Sequence, residues 1–193
     1  MITDAEKDAI RRSWKLVIPI AETAADLFYK RLFELRPEYQ KLFPDDMRGQ
    51  KRKLVQMLAF IVKSLDWPDS AWRESVPAEE DLMLVVLALG RRHSELYHIP
   101  DASYAVVGEA LLWTLDYGLG EAFTDEVRAA WLHVYQLVAK TMRMGAFITD
   151  AEASLGARTA LEQGDAHLSA ERTRLGLSET DVFSAERGSH GNH

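Results

Sequence analysis

Apolar residues recur at helical spacing along most of the chain, and the alternation that marks strands is hard to find. "TDAE" near the start reads as a capping box, Thr3 with Glu6, at the head of a helix whose apolar stripe includes Ile10, Trp14 and Val17. A second helix is predicted from Ile20 to Leu35, carrying Leu27, Phe28, Leu32 and Leu35, and Pro37 opens a short turn or helical segment that ends near "LFPDD". A third covers Gly49 to Leu65, with Leu54, Met57, Leu58 and Ile61 on one face. Pro77 and the acidic pair Glu79–Glu80 suit the first turn of a fourth, which reaches Tyr97. Pro100 begins a fifth that runs to Tyr117, and "GLGEAFTD" separates it from a sixth with Thr124 as N-cap and Val127, Trp131, Val134, Leu137 and Val138 along its length. The pattern specifies an all-α domain of six or more helices.

Two stretches fall outside the pattern. "DWPDSAWRESVPA", residues 66–78, reads as a long loop with two tryptophans and two prolines. From residue 148 to 193 the chain is polar with weak periodicity, so a compact unit over 1–147 is expected to be succeeded by a tail, mostly disordered or loosely helical. "ITDAE" at 2–6 recurs at 148–152, which is too short for a repeat and reads as a second capping box.

Composition narrows the chemistry. At 193 residues the chain is long enough to bury a sizeable core in one domain. No apolar run is long and clean enough to span a bilayer, and the first residues lack the basic-then-apolar layout of a signal peptide, so a cytoplasmic location is expected. A net charge of −7 with no dominant basic block disfavours nucleic acid or an anionic membrane as partner. With no cysteine, thiolate nucleophiles and Cys-ligated metal centres are excluded, and any metal chemistry must run through histidine or carboxylate.

"GRRHSELYHIP", residues 90–100, offers two histidines. On a helical wheel His93 falls beside Leu82, Val86 and Leu89, whereas His98 lies about 140° away at the helix end, so only His93 points into the core. A histidine on an apolar face is more often a hydrogen-bonded core residue than a ligand. Two further polar residues look inward from other helices: Gln50, on the face of Leu54, Met57 and Ile61, and Tyr29, beside Ala25, Leu32 and Phe33. Each also has a plainer reading, Gln50 as a first-turn residue reaching solvent and Tyr29 as core with its hydroxyl at the surface.

In this order and register the segments resemble the globins, specifically single-domain bacterial globins related to flavohaemoglobins and neuroglobin, over residues 4–146. "LFYKRLFELRPEYQKLF" is similar to the second and third globin helices, and "GQKRKLVQML" to the start of the distal helix. "LGRRHSELYHIPDASYAVVGEALL" is similar to the proximal helix and the segment after it, and "GEAFTDEVRAAWLHVYQLV", with Trp131 and Tyr135, to the last helix. The resemblance implies a globin fold of six to eight helices around haem b. It makes His93 the iron ligand, with its second nitrogen donating to a carbonyl near Leu89. Tyr29 and Gln50 become the distal donors, and Phe28, Phe43, Leu54, Leu58, Leu89, Ile99, Tyr104, Val107 and Leu111 the pocket lining. Lys53, Arg92 and His98 are candidates to meet the propionates, or are plain solvated charges.

The implied chemistry rests on those positions. A phenol and an amide can both donate to a gas ligand carrying partial negative charge, which implies tight oxygen binding. Neuroglobin-like chains place a histidine where Gln50 stands; glutamine is a poor iron ligand, so an open or water-bound sixth site is expected. Flavohaemoglobins carry a glutamate where this chain reads Met144-Gly145-Ala146, so His93 is expected to push less electron density to iron. The function implied is reversible binding of O2, NO or CO by a monomer or weak homodimer. Two alternatives stand beside it: nitric oxide dioxygenation fed by a separate reductase, since no G-x-G-x-x-G stretch is present, and gas sensing through the tail.

Overall fold

A computed structural model describes residues 2–65, 82–97, 102–145 and 150–177. Among them are seven α-helices and no strand: α1 (Asp4–Val17), α2 (Ala21–Leu35), α3 (Arg48–Ser64), α4 (Leu82–Tyr97), α5 (Ala102–Leu119), α6 (Asp125–Arg143) and α7 (Asp150–Arg174). Short 3-10 turns at Ile18–Ile20, Pro37–Leu42 and Gly120–Ala122 join them. The expected fold class, all-α, is the one observed. The loop expected over 66–78 lies outside the described residues, as does the Pro77 start of the fourth helix.

Local signals fixed the helix starts as the sequence predicts. Thr3 Oγ1 accepts from the Glu6 amide at 3.3 Å while Glu6 Oε2 accepts from the Thr3 amide at 2.7 Å, which satisfies two orphan donors reciprocally. Thr124 Oγ1 likewise accepts from the Val127 amide at 3.3 Å. Ile10, Trp14 and Val17 are all buried, as the stripe on α1 requires. That stripe meets α6, where Trp131 lies with its ring centroid 6.5 Å from Trp14, and its Nε1–H donates to Ser13 Oγ at 2.9 Å. Both indoles are fully buried, each contributing on the order of 3 kcal/mol by desolvation.

Around this centre α2 packs on α5 and α3, while α4 packs on α6. The α4–α6 contact is backbone to backbone. A Cβ on Gly90 would lie 1.8 Å from the Met142 carbonyl oxygen, and one on Gly145 would lie 2.2 Å from that of Leu87. Two glycines therefore set how closely the helix carrying His93 approaches its support.

Residues 150–174 depart from the expectation of a mostly disordered or loosely helical tail. They form one continuous helix, beginning at Asp150 where the second "TDAE" predicts a start, and α7 packs along both α3 and α4. Among the residues of α7 whose burial is described, 162–174, the buried ones are Gly164, Leu168 and Glu171, at i, i+4 and i+7, and only one of the three is a large apolar residue. Over that stretch, a face that includes a glycine and a carboxylate leaves little hydrophobic period to read.

Candidate functional site

His93 stands two turns into α4 past Val85 and Val86, which are buried in the core. Its Nδ1 lies 2.7 Å from the carbonyl oxygen of Leu89, one turn earlier. A carbonyl can only accept, so Nδ1 carries the proton, and in the neutral ring Nε2 carries the lone pair. Burial lowers the His93 pKa, aided by the positive charge of Arg92 and opposed by the bond to Leu89, so the ring is held in its neutral, ligating form. Arg92 itself is exposed.

α2 and α3 bring Tyr29 and Gln50 together. Tyr29 is buried, and its ring packs edge-on against Phe28 at 5.0 Å and Phe43 at 5.4 Å between centroids. Its hydroxyl donates to the main-chain carbonyl of Gln50, at 3.4 Å, and the Gln50 side chain also lies within reach of the phenol. That distance is beyond the usual range for an O–H···O bond, so the phenol is a buried donor only weakly satisfied by protein. Burial pushes its pKa up to about 12, which keeps it protonated and able to donate at any physiological pH.

The residues expected to form the apolar lining divide into two groups. Phe28 and Leu111 are buried in the core, whereas Phe43, Leu54, Leu58 and Val107 are half-buried against it, as is Leu89. Of the row Leu54, Met57, Leu58 and Ile61 on α3, only Ile61 is fully covered by protein. Tyr104 serves the α5–α6 junction: Tyr135 Oη donates to its carbonyl, and the Arg143 guanidinium lies 5.0 Å from its ring centroid. Burial also pushes the Tyr135 pKa up. Lys53 is exposed and borders an open groove between α3 and α7. His98 and Ile99 lie outside the described residues.

Do these residues fit haem? The donor set does. A single neutral imidazole on a buried helix face suits a metal that brings equatorial ligands of its own. The neutral, oriented imidazole is the proximal group such a macrocycle needs. A row of half-buried apolar side chains on α3 and α5, and a phenol with a poor protein partner, are features that a flat apolar ligand carrying a small polar guest would cover and satisfy.

Sequence reasoning missed a set of residues on α7 and the flank of α3. Gln56 is buried, and its amide donates to Asp165 at 3.0 Å; Arg52 reaches the same carboxylate at 3.3 Å. Lys63 Nζ donates to Gln163 at 2.6 Å. A Cβ on Gly164 would lie 2.0 Å from the Gln56 carbonyl oxygen. The one available signal was Gly164 itself, a residue that weakens a helix interior unless a close approach requires it.

The chain is similar to known proteins along most of its length. The Globin family model matches residues 26–142, more than half of the chain. The neuroglobin of Chaenocephalus aceratus is 31% identical over 150 residues, covering 75% of this chain and 92% of that protein. The flavohemoprotein of Rhizobium meliloti (strain 1021) is 30% identical over 136 residues, covering 70% of this chain but 31% of the relative. A crystal structure of the closed form of the HGbRL's globin domain shares 33% identity over 75% of this chain and 96% of that one, with a TM-score of 0.32. A family match of that length, falling on the helices that carry Tyr29, Gln50 and His93, makes the chain a member of the globin family.

Proposed function

We propose that this globin holds haem b through His93 Nε2 and binds O2, NO or CO reversibly, with Tyr29 as the principal distal donor. Haem, when bound, supplies the ferrous iron at which a diatomic gas is held. The chain's own residues do the rest. Leu89 orients the imidazole through its carbonyl, and burial keeps that ring neutral. Phe43, Leu54, Leu58 and Val107 offer an apolar wall that excludes water from the ligand face. Tyr29, protonated and loosely bonded, donates a hydrogen bond toward negative charge on the gas ligand; Gln50, at the first turn of α3, stands beside it and cannot compete for the iron as a histidine would.

The observation that supports this reading is the 2.7 Å contact between His93 Nδ1 and the Leu89 carbonyl, which orients the ring and puts the lone pair of the neutral imidazole on Nε2, the atom that would ligate. Absorption spectra of the purified protein test it. A shift from a high-spin or water-ligated ferric form to a five-coordinate ferrous form, and then to a carbon monoxide adduct, is expected. A ferrous spectrum that is already six-coordinate without added ligand overturns the open sixth site.

A second reading, suggested by the likeness to a flavohemoprotein of which the alignment covers 31%, is nitric oxide dioxygenation with electrons from a separate reductase. Nitric oxide consumption that continues for many turnovers only when a reductase is added is its expected outcome. Consumption that stops after one equivalent even with the reductase refutes it.

A further inference from the structure

Helix α7 touches the two helices that carry the proposed ligand-binding residues, α3 with Gln50 and α4 with His93, and its contacts with them are the most extensive between helices among the described residues. We infer that α7 is a clamp that fixes α3 against α4 and thereby retains haem; this rests on the haem-binding reading above. No other element packs closely on both helices among the described residues.

The seam along α3 is built for close approach and polar pairing. Gly164 sits on the Gln56 main chain with no room for a Cβ. Asp165 receives both the Gln56 amide and the Arg52 guanidinium, Gln163 accepts from Lys63, and Leu168 inserts into the core. Glu171, also buried, pairs with Arg174 on α7 itself. A buried amide paired to a carboxylate fixes one register, because sliding the helix would strand both groups without partners.

The direction of the coupling is set by where the seam lies. Gln56 is about 120° round α3 from Gln50, and the open groove of about 640 Å³ along the seam is lined by Gly49, Arg52, Lys53 and Gln56 on the α3 side. Leu54 and Leu58, the apolar wall, lie on the Gln50 side of the helix. Arg52, Gln56 and Lys63 cluster about 180° round the helix from the centre of that wall, so clamp and ligand use opposite faces of α3. A helix that orders both walls removes part of the ordering cost otherwise met by haem, so the two sites favour each other.

Gly164→Ala separates docking from helix formation, because alanine raises the intrinsic helix propensity of α7 while its Cβ meets the Gln56 carbonyl. Asp165→Lys, placed beside Arg52, provides a second and milder opening of the seam, with Arg52→Glu added to it as the rescue. Two readouts are taken on the full chain: amide hydrogen exchange over residues 162–175, and transfer of haem to an excess of an apoglobin acceptor. Faster exchange together with haem loss accelerated about tenfold in both single variants, reversed in the charge-swapped pair, is expected. Opened seams with unchanged or slower haem loss overturn the clamp while leaving the haem site intact. Exchange that stays slow in Gly164→Ala overturns the docked geometry itself. A wild-type chain that takes up no haem overturns both the clamp and the function it serves.

Discussion

Replacing Tyr29 by phenylalanine removes one hydroxyl and leaves the ring packing on Phe28 and Phe43 in place. The hydroxyl's bond to the Gln50 carbonyl, at 3.4 Å, is too long to hold the fold strongly. Its loss should cost under about 1 kcal/mol, since a typical net hydrogen bond is worth about that and this one is stretched. For a chain of this size that lowers the melting temperature by no more than about 4 °C. Toward a gas ligand with partial negative charge the same hydroxyl is worth about 1.5–3 kcal/mol. At about 1.4 kcal/mol per decade, oxygen dissociation should accelerate roughly 10- to 150-fold. Carbon monoxide, with little charge on its terminal atom, should change far less. Stopped-flow displacement of oxygen by carbon monoxide gives the rate, and a thermal melt gives the stability. An oxygen rate within about twofold of wild type would refute Tyr29 as the distal donor. A large loss of stability with an unmoved rate would mean that the phenol serves only the core.

Other perturbations read different parts of the molecule. His93→Gly should abolish the characteristic haem spectrum, with added imidazole restoring it; an unaltered spectrum without imidazole would remove His93 as ligand. Gly90→Ala places a Cβ 1.8 Å from the Met142 carbonyl, so α4 must lift from α6, at a cost of about 1–3 kcal/mol in denaturant unfolding; an unchanged midpoint would contradict the backbone contact. The Glu6 pKa is held down to about 2 by its bonds to the Thr3 backbone and to His133, so its contribution is complete above the ordinary carboxylate range near 4.5 and is lost as pH falls toward 2. Glu6→Gln should therefore be less stable than wild type at pH 6, with the gap closing in acid titrations; a gap that widens on acidification would reverse the sign.

How much of the molecule was legible in the chain depends on how local the cause is. Capping boxes, a tryptophan stripe and the placement of His93 on the apolar face of α4 are written in spacings of three and four residues, and the structure has α1 and α6 where those spacings put them; the His93–Leu89 bond stands where the family resemblance implied it. Convergence of Tyr29 and Gln50 was legible too, but only as residue types. That the phenol reaches the main-chain carbonyl of Gln50 depends on the angle between α2 and α3, which no periodicity encodes. α7 marks the limit. Its start was signalled by a capping motif, but its docking rests on Gly164, Gln56 and Asp165, whose pairing spans more than a hundred residues of chain. Local hydrophobic and capping chemistry thus determined which segments are helices and which side chains face inward. Only the tertiary arrangement decided which polar groups share a carboxylate and how closely two backbones touch, because hydrogen bonds and van der Waals contact act over a few ångströms of space, irrespective of distance along the chain.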